Sequence, residues 1–414
     1  MDFDMLGLKP RLVAKLAELG FKTPTPIQAQ AIPHAMNGRD VMGLAQTGTG
    51  KTAAFGLPLI HALTSAGVKP EPKTAHGLIL APTRELANQI ADNLSAFTKG
   101  SHLKVALVVG GQSINRQIEA LKRGADLLIA TPGRLIDLID RRAVSLGETR
   151  FLVLDEADQM LDLGFIHALR RIAPLLAAER QTMLFSATMP KQMSEIANAY
   201  LTNPVRVEVA RPGQTADKVS QSVHFVAQND KQDLLIKLIG AHRDERALVF
   251  SRTKHGAERL MKNLVRAGFN AGSIHGNKSQ GQRERAIRAF KSGEILVLVA
   301  TDVAARGIDI DGIEHVYNFD LPNVAENYVH RIGRTARAGR SGLAIAFCAA
   351  AEMSEFKAIQ KVVGQPIKVV GGTPWAEVPG SKPKGRPQQQ GRRRPAGHGG
   401  GGNGGGQGRR RRAA

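Results

Sequence analysis

The sequence predicts an α/β protein with two doubly wound parallel-sheet domains in tandem, followed by a disordered basic tail. Three observations support this prediction. Short apolar runs alternate with stretches of helical periodicity, which is typical of βαβ units. The runs contain few polar positions, which is typical of parallel strands buried on both faces. A polar segment divides the runs into two sets, and the composition changes sharply near the C-terminus.

Six strands are predicted in each half of the chain. The first set is Val41–Ala45, Gly77–Ala81, Val105–Gly110, Asp126–Ala130, Phe151–Leu154 and Thr182–Ser186. The second set is Val223–Val226, Ala247–Ser251, Ala271–Ile274, Ile295–Ala300, His315–Phe319 and Gly342–Phe347. The 414 residues, with 42% hydrophobic and 22% charged, suffice for sizeable cores of ordinary globular composition.

A segment rich in proline, glycine and polar residues, Ala210–Lys218, separates the two sets and is typical of a linker. The predicted domains are therefore residues 1–209 and residues 219–365. Residues 366–414 hold eleven Lys and Arg residues against one acid, Glu377, in a background of glycine, glutamine and proline. Such a composition buries too little apolar area to offset chain entropy, so this tail is predicted to be disordered.

The net charge of +21 indicates a polyanionic partner, because neutralising phosphates releases counterions. Charge alone leaves nucleic acid and anionic membrane surfaces open, but the tail lacks the apolar face of a membrane-surface helix. No run of eighteen apolar residues and no secretory signal pattern occurs, so no membrane partner is predicted. The single cysteine, Cys348, excludes an intramolecular disulfide and fits a reducing, cytoplasmic location.

A glycine-rich loop follows the first predicted strand and precedes a helical segment, the context that a phosphate-binding P-loop requires. Its glycines let backbone N–H groups face phosphate oxygens. Lys51 is expected to reach the β- and γ-phosphates, and Thr52 to bind Mg²⁺ through its hydroxyl. The alternative is a chance glycine loop, and the strict pattern has glycine where this chain has Ala45. The predicted nucleotide-binding loop comprises Ala45, Gln46, Thr47, Gly48, Thr49, Gly50, Lys51 and Thr52.

An acidic cluster, Asp155-Glu156-Ala157-Asp158, follows the strand Phe151–Leu154. Carboxylates at this end of a parallel strand lie where ligands bind in open α/β sheets. Asp155 is the predicted partner of Mg²⁺, and Glu156 is placed to orient and polarise an attacking water. The alternative, a solvated acidic helix start, is disfavoured by the P-loop upstream. Together the two motifs predict nucleoside triphosphate hydrolysis.

The acidic cluster reads DEAD, and the surrounding blocks resemble DEAD-box RNA helicases in order and spacing over roughly residues 1–365. The resemblance implies two RecA-like domains, ATP and Mg²⁺ as cofactors, and RNA as a partner bound largely without sequence preference. It implies RNA-stimulated ATP hydrolysis that locally unwinds duplexes and remodels RNA–protein complexes. The basic tail and compact core are most similar to the bacterial RhlE-type branch.

The resemblance also assigns the adenine site. The side chain of Gln28, in Thr25-Pro26-Ile27-Gln28, reads the adenine edge; an amide both donates and accepts, so it can select adenine over guanine. Phe21 stacks on the base, and Phe3 is similar to the upstream aromatic residue that supports this pocket.

The second domain has no P-loop and contributes, by the same resemblance, a contact from Asp309 to the ATP ribose. Arg334 and Arg337 correspond to the arginine fingers that reach the γ-phosphate. The glycine that usually precedes the second finger is Ala336 here, and little functional cost is expected.

RNA contacts are implied on both domains. The corresponding residues are Arg84, Gly111, Thr131 and Arg134 on the first domain and Arg252, Gly276 and Thr301 on the second. Residues implied to couple the nucleotide site to RNA are Ser186, Thr188 and His330. Gln282 and Arg285, in Gln-Arg-Glu-Arg, form a further motif of the second domain.

Because the nucleotide groups are divided between domains, the complete site exists only when the domains close. ATP and RNA are then expected to favour the same closed state. The alternative function is a nucleotide-regulated RNA clamp or scaffold, which the intact Lys51 and Glu156 disfavour. The tail is interpreted either as a non-specific RNA tether or as a solubilising extension. Ribonucleoprotein or RNA-degradation partners are compatible with the sequence.

Overall fold

Two seven-stranded parallel sheets organise the chain in a computed structural model, which describes residues 2–45, 48–189, 191–209, 219–305, 310, 312–336 and 341–375. The first sheet consists of β1 (Val41–Leu44), β2 (Ala75–Leu80), β3 (Val105–Val108), β4 (Ala125–Ala130), β5 (Phe151–Leu154), β6 (Gln181–Ser186) and β7 (Val205–Glu208). Its strand order is β3-β4-β2-β5-β6-β1-β7. The helices of this domain are α1 (Pro10–Glu18), α2 (Pro26–Met36), α3 (Lys51–Ala66), α4 (Arg84–Thr98), α5 (Ile114–Leu121), α6 (Pro132–Asp140), α7 (Ala157–Asp162), α8 (Ile166–Ile172) and α9 (Lys191–Tyr200).

The second sheet repeats this arrangement. It consists of β8 (Val219–Phe225), β9 (Ala247–Phe250), β10 (Ala271–Ile274), β11 (Val297–Ala300), β12 (His315–Asn318), β13 (Gly342–Cys348) and β14 (Lys368–Gly371). Its strand order is β10-β11-β9-β12-β13-β8-β14. The helices are α10 (Lys231–Gly240), α11 (Lys254–Arg266), α12 (Gln280–Ser292), α13 (Asp302–Ala305), α14 (Ala325–Ile332) and α15 (Met353–Val363). The predicted fold class is confirmed.

Alternate residues of the central strands enter different cores. In β5, Val153 packs into the core on one face of the sheet, whereas Leu152 and Leu154 pack into the core on the other face. Side chains of successive strand residues point to opposite faces, so an uninterrupted apolar run is what a sheet covered by helices on both faces requires. This is why the buried strands were predictable from their sequence.

Two of the four edge strands, β7 and β14, were not predicted from the sequence. Only one residue of β7, Val207, is buried, and none of β14 is. Most residues of these two strands are exposed, so they need no apolar run, whereas every residue of the predicted edge strand β3 is at least half-buried. Because β14 pairs with β8, the predicted start of the tail at residue 366 is wrong. Further along the chain, Nε1 of Trp375 donates to the Cys348 carbonyl at 3.1 Å.

The predicted linker, Ala210–Lys218, and residues 376–414 lie outside the described residues. Within the described ranges no helix combines the length and apolar character needed to cross a membrane. Cys348 carries a free thiol, as a single cysteine predicts, and its side chain is buried.

Candidate active site and adjoining cleft

The P-loop leads from β1 into α3, and Lys51 is the first residue of that helix. Gly50 has a φ of 91°, and a Cβ there would lie 2.4 Å from Nε2 of Gln28, so both conformation and space require glycine. Ala45 is not among the residues of positive φ, which explains why alanine is tolerated where the strict pattern has glycine. Gln46 and Thr47 lie outside the described residues.

The Lys51 ammonium group faces the acidic cluster at the end of β5. Its Nζ lies 3.6 Å from Oδ1 of Asp155 and 4.0 Å from Oε1 of Glu156, and all three side chains are buried. Burial opposes the charge on Lys51, but the neighbouring carboxylates outweigh it and raise its pKa above the ordinary value. The site therefore holds a lysine that stays cationic, as phosphate binding requires.

Glu156 combines burial, backbone strain and missing hydrogen bonds. It is 2% exposed and has φ 51° and ψ 51°, a left-handed conformation that glutamate rarely adopts. Neither carboxylate oxygen has a hydrogen-bond partner within the described chain. Burial raises the pKa of Glu156, although the positive charge of Lys51 counteracts this. A buried carboxylate without hydrogen bonds at such a position is typical of a group that binds a ligand or a water.

Arg334 of the second domain lines the same cavity as Lys51 and Glu156. It is 3% exposed, and its positive charge acts to lower the pKa of Glu156. The structure thus brings the first predicted arginine finger to the P-loop from the other sheet. The second finger, Arg337, and the predicted ribose contact, Asp309, lie outside the described residues.

Ala336 adopts a φ of 56°, the left-handed region that glycine prefers. Replacing it by valine is expected to destabilise the protein by roughly 1–3 kcal/mol, because a β-branched residue is strained in this conformation. Replacement by glycine is expected to leave the unfolding free energy within about 1 kcal/mol of wild type. Chemical denaturation measures both, and the matched control is Ala358→Val on an exposed helical position. If both valine variants lost the same free energy of unfolding, the backbone of Ala336 would not be strained.

Three aromatic rings form a row at the far end of the nucleotide cavity. Phe21 packs edge to face on Phe3, with ring centroids 6.5 Å apart, and on Phe97, with centroids 5.6 Å apart. Phe97, which was not predicted from the sequence, lines the cavity together with Gln89 and Asn93 of α4. Their spacing along one helical face was the available signal.

The side-chain amide of Gln28 forms two hydrogen bonds within the protein and can still form two more with a nucleotide base. Its Oε1 accepts from the Thr25 N–H at 2.9 Å, and its Nε2 donates to the Gly50 carbonyl at 3.0 Å. An amide oxygen accepts two hydrogen bonds and an amide nitrogen donates two. One acceptor position and one donor therefore remain, which matches the amino group and ring nitrogen at one edge of adenine.

The last acid of the cluster, Asp158, holds the segment after β6. Its Oδ2 accepts from the Thr188 N–H at 2.9 Å, from the Thr188 hydroxyl at 3.0 Å and from the Ala187 N–H at 3.1 Å. The Ser186 hydroxyl donates to the Thr188 carbonyl at 2.7 Å. The predicted coupling residues Ser186 and Thr188 are thus tied to the acidic cluster, whereas His330 lies beside Arg334 in the second domain.

A second, wider cleft between the domains gathers most of the predicted RNA contacts. Its lining includes Arg84, Gly111, Thr131, Arg134 and Gly276. Two predicted contacts do not line it. The Arg252 guanidinium instead donates to Oε1 of Glu352 at 2.7 Å, and Thr301 is buried at the end of β11.

The two domains bridge this cleft directly. Nη2 of Arg283 lies 3.0 Å from Oε1 of Glu85, and Nη1 of Arg84 donates to Oε1 of Gln280 at 3.2 Å. Sequence analysis had singled out Gln282 and Arg285, two residues further along α12. Gln282 instead forms the capping box at the start of that helix, so the contact between the domains comes from the preceding pair.

Arg331 was not assigned a role by sequence and is 2% exposed. Its guanidinium makes bidentate contacts to Asp302 at 2.5 and 2.8 Å and donates to Oδ1 of Asn318 at 3.1 Å. These bonds fix the end of α14 against β12 and α13, just before Arg334. Arg331 therefore stabilises the fold, whereas Arg334 lines the cavity.

Comparisons with known proteins agree with this geometry. The DEAD/DEAH box helicase family matches residues 25–196, and the helicase conserved C-terminal domain matches residues 230–339. The chain is 44% identical over 361 residues to the DEAD-box ATP-dependent RNA helicase CshA of Bacillus subtilis, covering 87% of this chain and 72% of that protein. It is 42% identical to the ATP-dependent RNA helicase CshA of Listeria monocytogenes, covering 91% and 71% of the two chains. The structure of Saccharomyces cerevisiae Dbp5 bound to RNA and ADP BeF3 superposes with a TM-score of 0.77 at 32% identity, covering 89% of this chain and 95% of that one.

Proposed function

The chain belongs to the DEAD-box family of ATP-dependent RNA helicases, and from that premise we propose how its residues divide the work of coupling ATP hydrolysis to RNA unwinding. The main support for this proposal is that Arg334 of the second domain lines the same cavity as Lys51 and Glu156 of the first domain. A site assembled from two domains is complete only when they are together. Any ligand that holds the domains together therefore promotes the reaction.

Within this site, Lys51 and the P-loop amides bind the phosphates, and Glu156 orients the attacking water. Arg334 and Arg337 stabilise the charge that develops on the transferred phosphoryl group. Gln28 and Phe21 bind the adenine, and Asp309 contacts the ribose. Ala45, Gln46, Thr47, Gly48, Thr49 and Gly50 surround the phosphates as the loop backbone.

The site also fits Mg²⁺. Thr52 and Asp155 line the same cavity and offer a hydroxyl and a carboxylate, the hard oxygen ligands that this ion prefers. These two residues would hold it, and the bound ion would neutralise phosphate charge.

RNA is proposed to lie in the second cleft, along Arg84, Gly111, Thr131, Arg134 and Gly276. Arg252 and Thr301 would join only after local rearrangement of the second domain. Guanidinium, hydroxyl and backbone amide groups suit the sugar–phosphate backbone, which explains binding without sequence preference. Asp158, Ser186, Thr188 and His330 would transmit the state of the nucleotide to this cleft.

Steady-state ATP hydrolysis with and without RNA, followed by unwinding of a short duplex, tests the proposal. We expect RNA to stimulate turnover and ATP to drive strand release. A rate independent of RNA would contradict the coupling. RNA binding without turnover would instead favour the nucleotide-regulated clamp, an alternative that no feature of this geometry favours.

The bridge between Glu85 and Arg283 is expected to support RNA-stimulated turnover. Neutralising either partner, by Glu85→Gln or Arg283→Gln, should raise the RNA concentration for half-maximal stimulation by roughly tenfold, because the partner charge is left half-buried and unpaired. The double variant should be little worse than either single one, with a coupling energy of about 1 kcal/mol. Strictly additive losses would show that the two residues act independently.

We also propose that residues 376–414 tether RNA. Truncation after Trp375 is expected to raise the RNA concentration needed for stimulation and to flatten its salt dependence, because fewer phosphates are neutralised. Replacing the arginines of Arg392–Arg394 and Arg409–Arg412 by glutamine is the control that keeps chain length constant. If neither change affects either measurement, the tail only solubilises the protein.

Three finer assignments complete the proposal. The domains are taken as residues 1–209 and residues 219–375, joined by residues 210–218. The RhlE-type branch rests on the basic tail and compact core alone. A cytoplasmic location is supported by the free thiol of Cys348, and ribonucleoprotein or RNA-degradation partners by the activity itself.

A further inference from the structure

A further cavity, distinct from the nucleotide cavity and from the cleft between the domains, lies on the first domain. It shares one lining residue, Phe97, with the nucleotide cavity. It is formed by the first half of α1, the C-terminal half of α3 and the loop that follows α4. Its volume is about 160 Å³, against about 200 Å³ for the nucleotide cavity. A cavity of this size, next to a nucleotide site and of similar volume, can hold a ligand of similar class.

The rim of this cavity is basic. Lys9, Arg11, Lys15 and Lys99 all line it. Lys15 pairs with Glu18, and the Arg11 guanidinium donates to the Gly100 carbonyl. Within the described ranges, Lys9, Arg11 and Lys99 have no acidic partner. Unneutralised cations around a concave surface attract anions and raise their local concentration.

His61 adds an uncharged hydrogen-bond donor to this basic rim. Nδ1 of His61 accepts from the Lys9 N–H at 3.2 Å, which leaves the ring proton on Nε2. Burial, together with the charge of Lys9, lowers the pKa of His61, so the ring is neutral at pH 7. His61 therefore offers an N–H group beside the lysines.

The floor of the cavity is apolar. Leu12, Ile60 and Phe97 line it and are 7%, 4% and 6% exposed. An apolar floor with a few polar groups at the rim is the usual make-up of a small-molecule site. The charge excludes the basic C-terminal tail as the occupant, and an ion alone would leave the floor unused.

We propose that this cavity is a second ligand site, which takes a small phosphorylated molecule of nucleotide type. Its phosphates contact Lys9 and Lys99, and its planar part lies on Leu12 and Phe97. Because Phe97 also packs on Phe21, the ligand is coupled to the adenine site. This coupling rests on the proposed role of Phe21, whereas the binding itself does not.

Calorimetric titration of the full chain with GDP, in the presence of saturating ADP and Mg²⁺, tests the binding. We expect one GDP per chain, weakened at least ~10-fold in Lys9→Glu/Lys99→Glu, because hydrogen bonds to charged groups are lost. The control, Lys237→Glu/Lys262→Glu, makes the same charge change at exposed positions of the second domain and should bind GDP as wild type does. Inorganic pyrophosphate should bind more weakly than GDP, since it cannot use the apolar floor.

No GDP binding to the wild type, or equal binding to the charge-reversed variant, would overturn the site. Displacement of GDP by short single-stranded RNA would overturn it as well, because it would assign the cavity to the RNA path. RNA-stimulated ATP hydrolysis, measured in the same variant, separates failure of this site from failure of the helicase function.

The coupling has its own test. The Kd for ADP, measured with and without saturating GDP, is expected to change by ~5-fold, and ADP must change the Kd for GDP by the same factor. An unchanged Kd for ADP alongside measurable GDP binding would overturn the coupling through Phe97.

Discussion

Replacing Glu156 by glutamine is expected to lower ATP turnover by about 10²–10⁴-fold, the usual contribution of general acid–base catalysis. Both oxygens of this buried carboxylate lack hydrogen-bond partners within the described chain, so they are available to a water. An amide has nearly the same shape but cannot polarise that water in the same way. Phosphate release in the presence of saturating RNA measures the loss.

Measuring ATP affinity distinguishes a loss of catalysis from a general disruption of the site. Glu156→Gln should retain ATP affinity, because Lys51 and the P-loop are untouched. The matched control is Glu148→Gln, the same change at an exposed position of the same domain. Turnover near the wild-type rate in Glu156→Gln would remove Glu156 from the mechanism, and loss of ATP binding would make it a binding residue.

Glu156 also makes the stability of the wild-type protein depend on pH, and the same variant removes this dependence. Burial raises the pKa of Glu156 above that of the unfolded chain. The native state therefore binds this proton more tightly, and stability falls as the pH rises through the unfolded and then the folded pKa. Glutamine removes that loss, so Glu156→Gln is expected to melt at a higher temperature than wild type at pH 7. The difference should shrink as the pH approaches the ordinary pKa of a glutamate, about 4.

Arg334→Ala is expected to reduce RNA-stimulated turnover by about 10³-fold or more, the range in which arginine fingers act. Arg334 reaches the cavity from the second domain, and its charge acts on Glu156 across the interface. Its loss removes a positive charge that stabilises the transferred phosphoryl group. It also removes an attraction between the two domains that favours the closed state. Single-turnover hydrolysis with RNA measures the chemical step, and ATP-dependent RNA affinity measures closure.

The neighbouring arginine is unsuitable as a control. Arg331→Ala removes a buried guanidinium and leaves the half-buried Asp302 without its bidentate partner, so it is expected to cost about 3 kcal/mol of stability. Arg288→Ala, on the exposed face of α12, is the better match. If Arg334→Ala hydrolyses ATP at the rate of Arg288→Ala, Arg334 is not a finger. If it loses stability as Arg331→Ala does, its role is structural.

The buried strands and the phosphate chemistry were predictable because their signals are local. A strand covered on both faces must be apolar along its length, and β5 is. A P-loop must place glycines, a lysine and a hydroxyl in consecutive positions, since a few backbone N–H groups enclose the phosphates. The acidic cluster likewise follows its strand directly. β7 and β14 each lie at an edge of a sheet and bury at most one residue, so they have no comparable requirement and were not predicted.

The sequence by itself determined the fold class and the family, and it singled out several of the residues that line the nucleotide cavity. Only the tertiary structure decided which of two overlapping Gln-x-x-Arg pairs faces the first domain, and that Arg331 is a buried structural residue bound to Asp302. It also decided that Phe97 separates two cavities. These choices depend on how each helix is rotated against its sheet and against the other domain. That rotation is set by contacts between residues far apart in the chain, which no local pattern records.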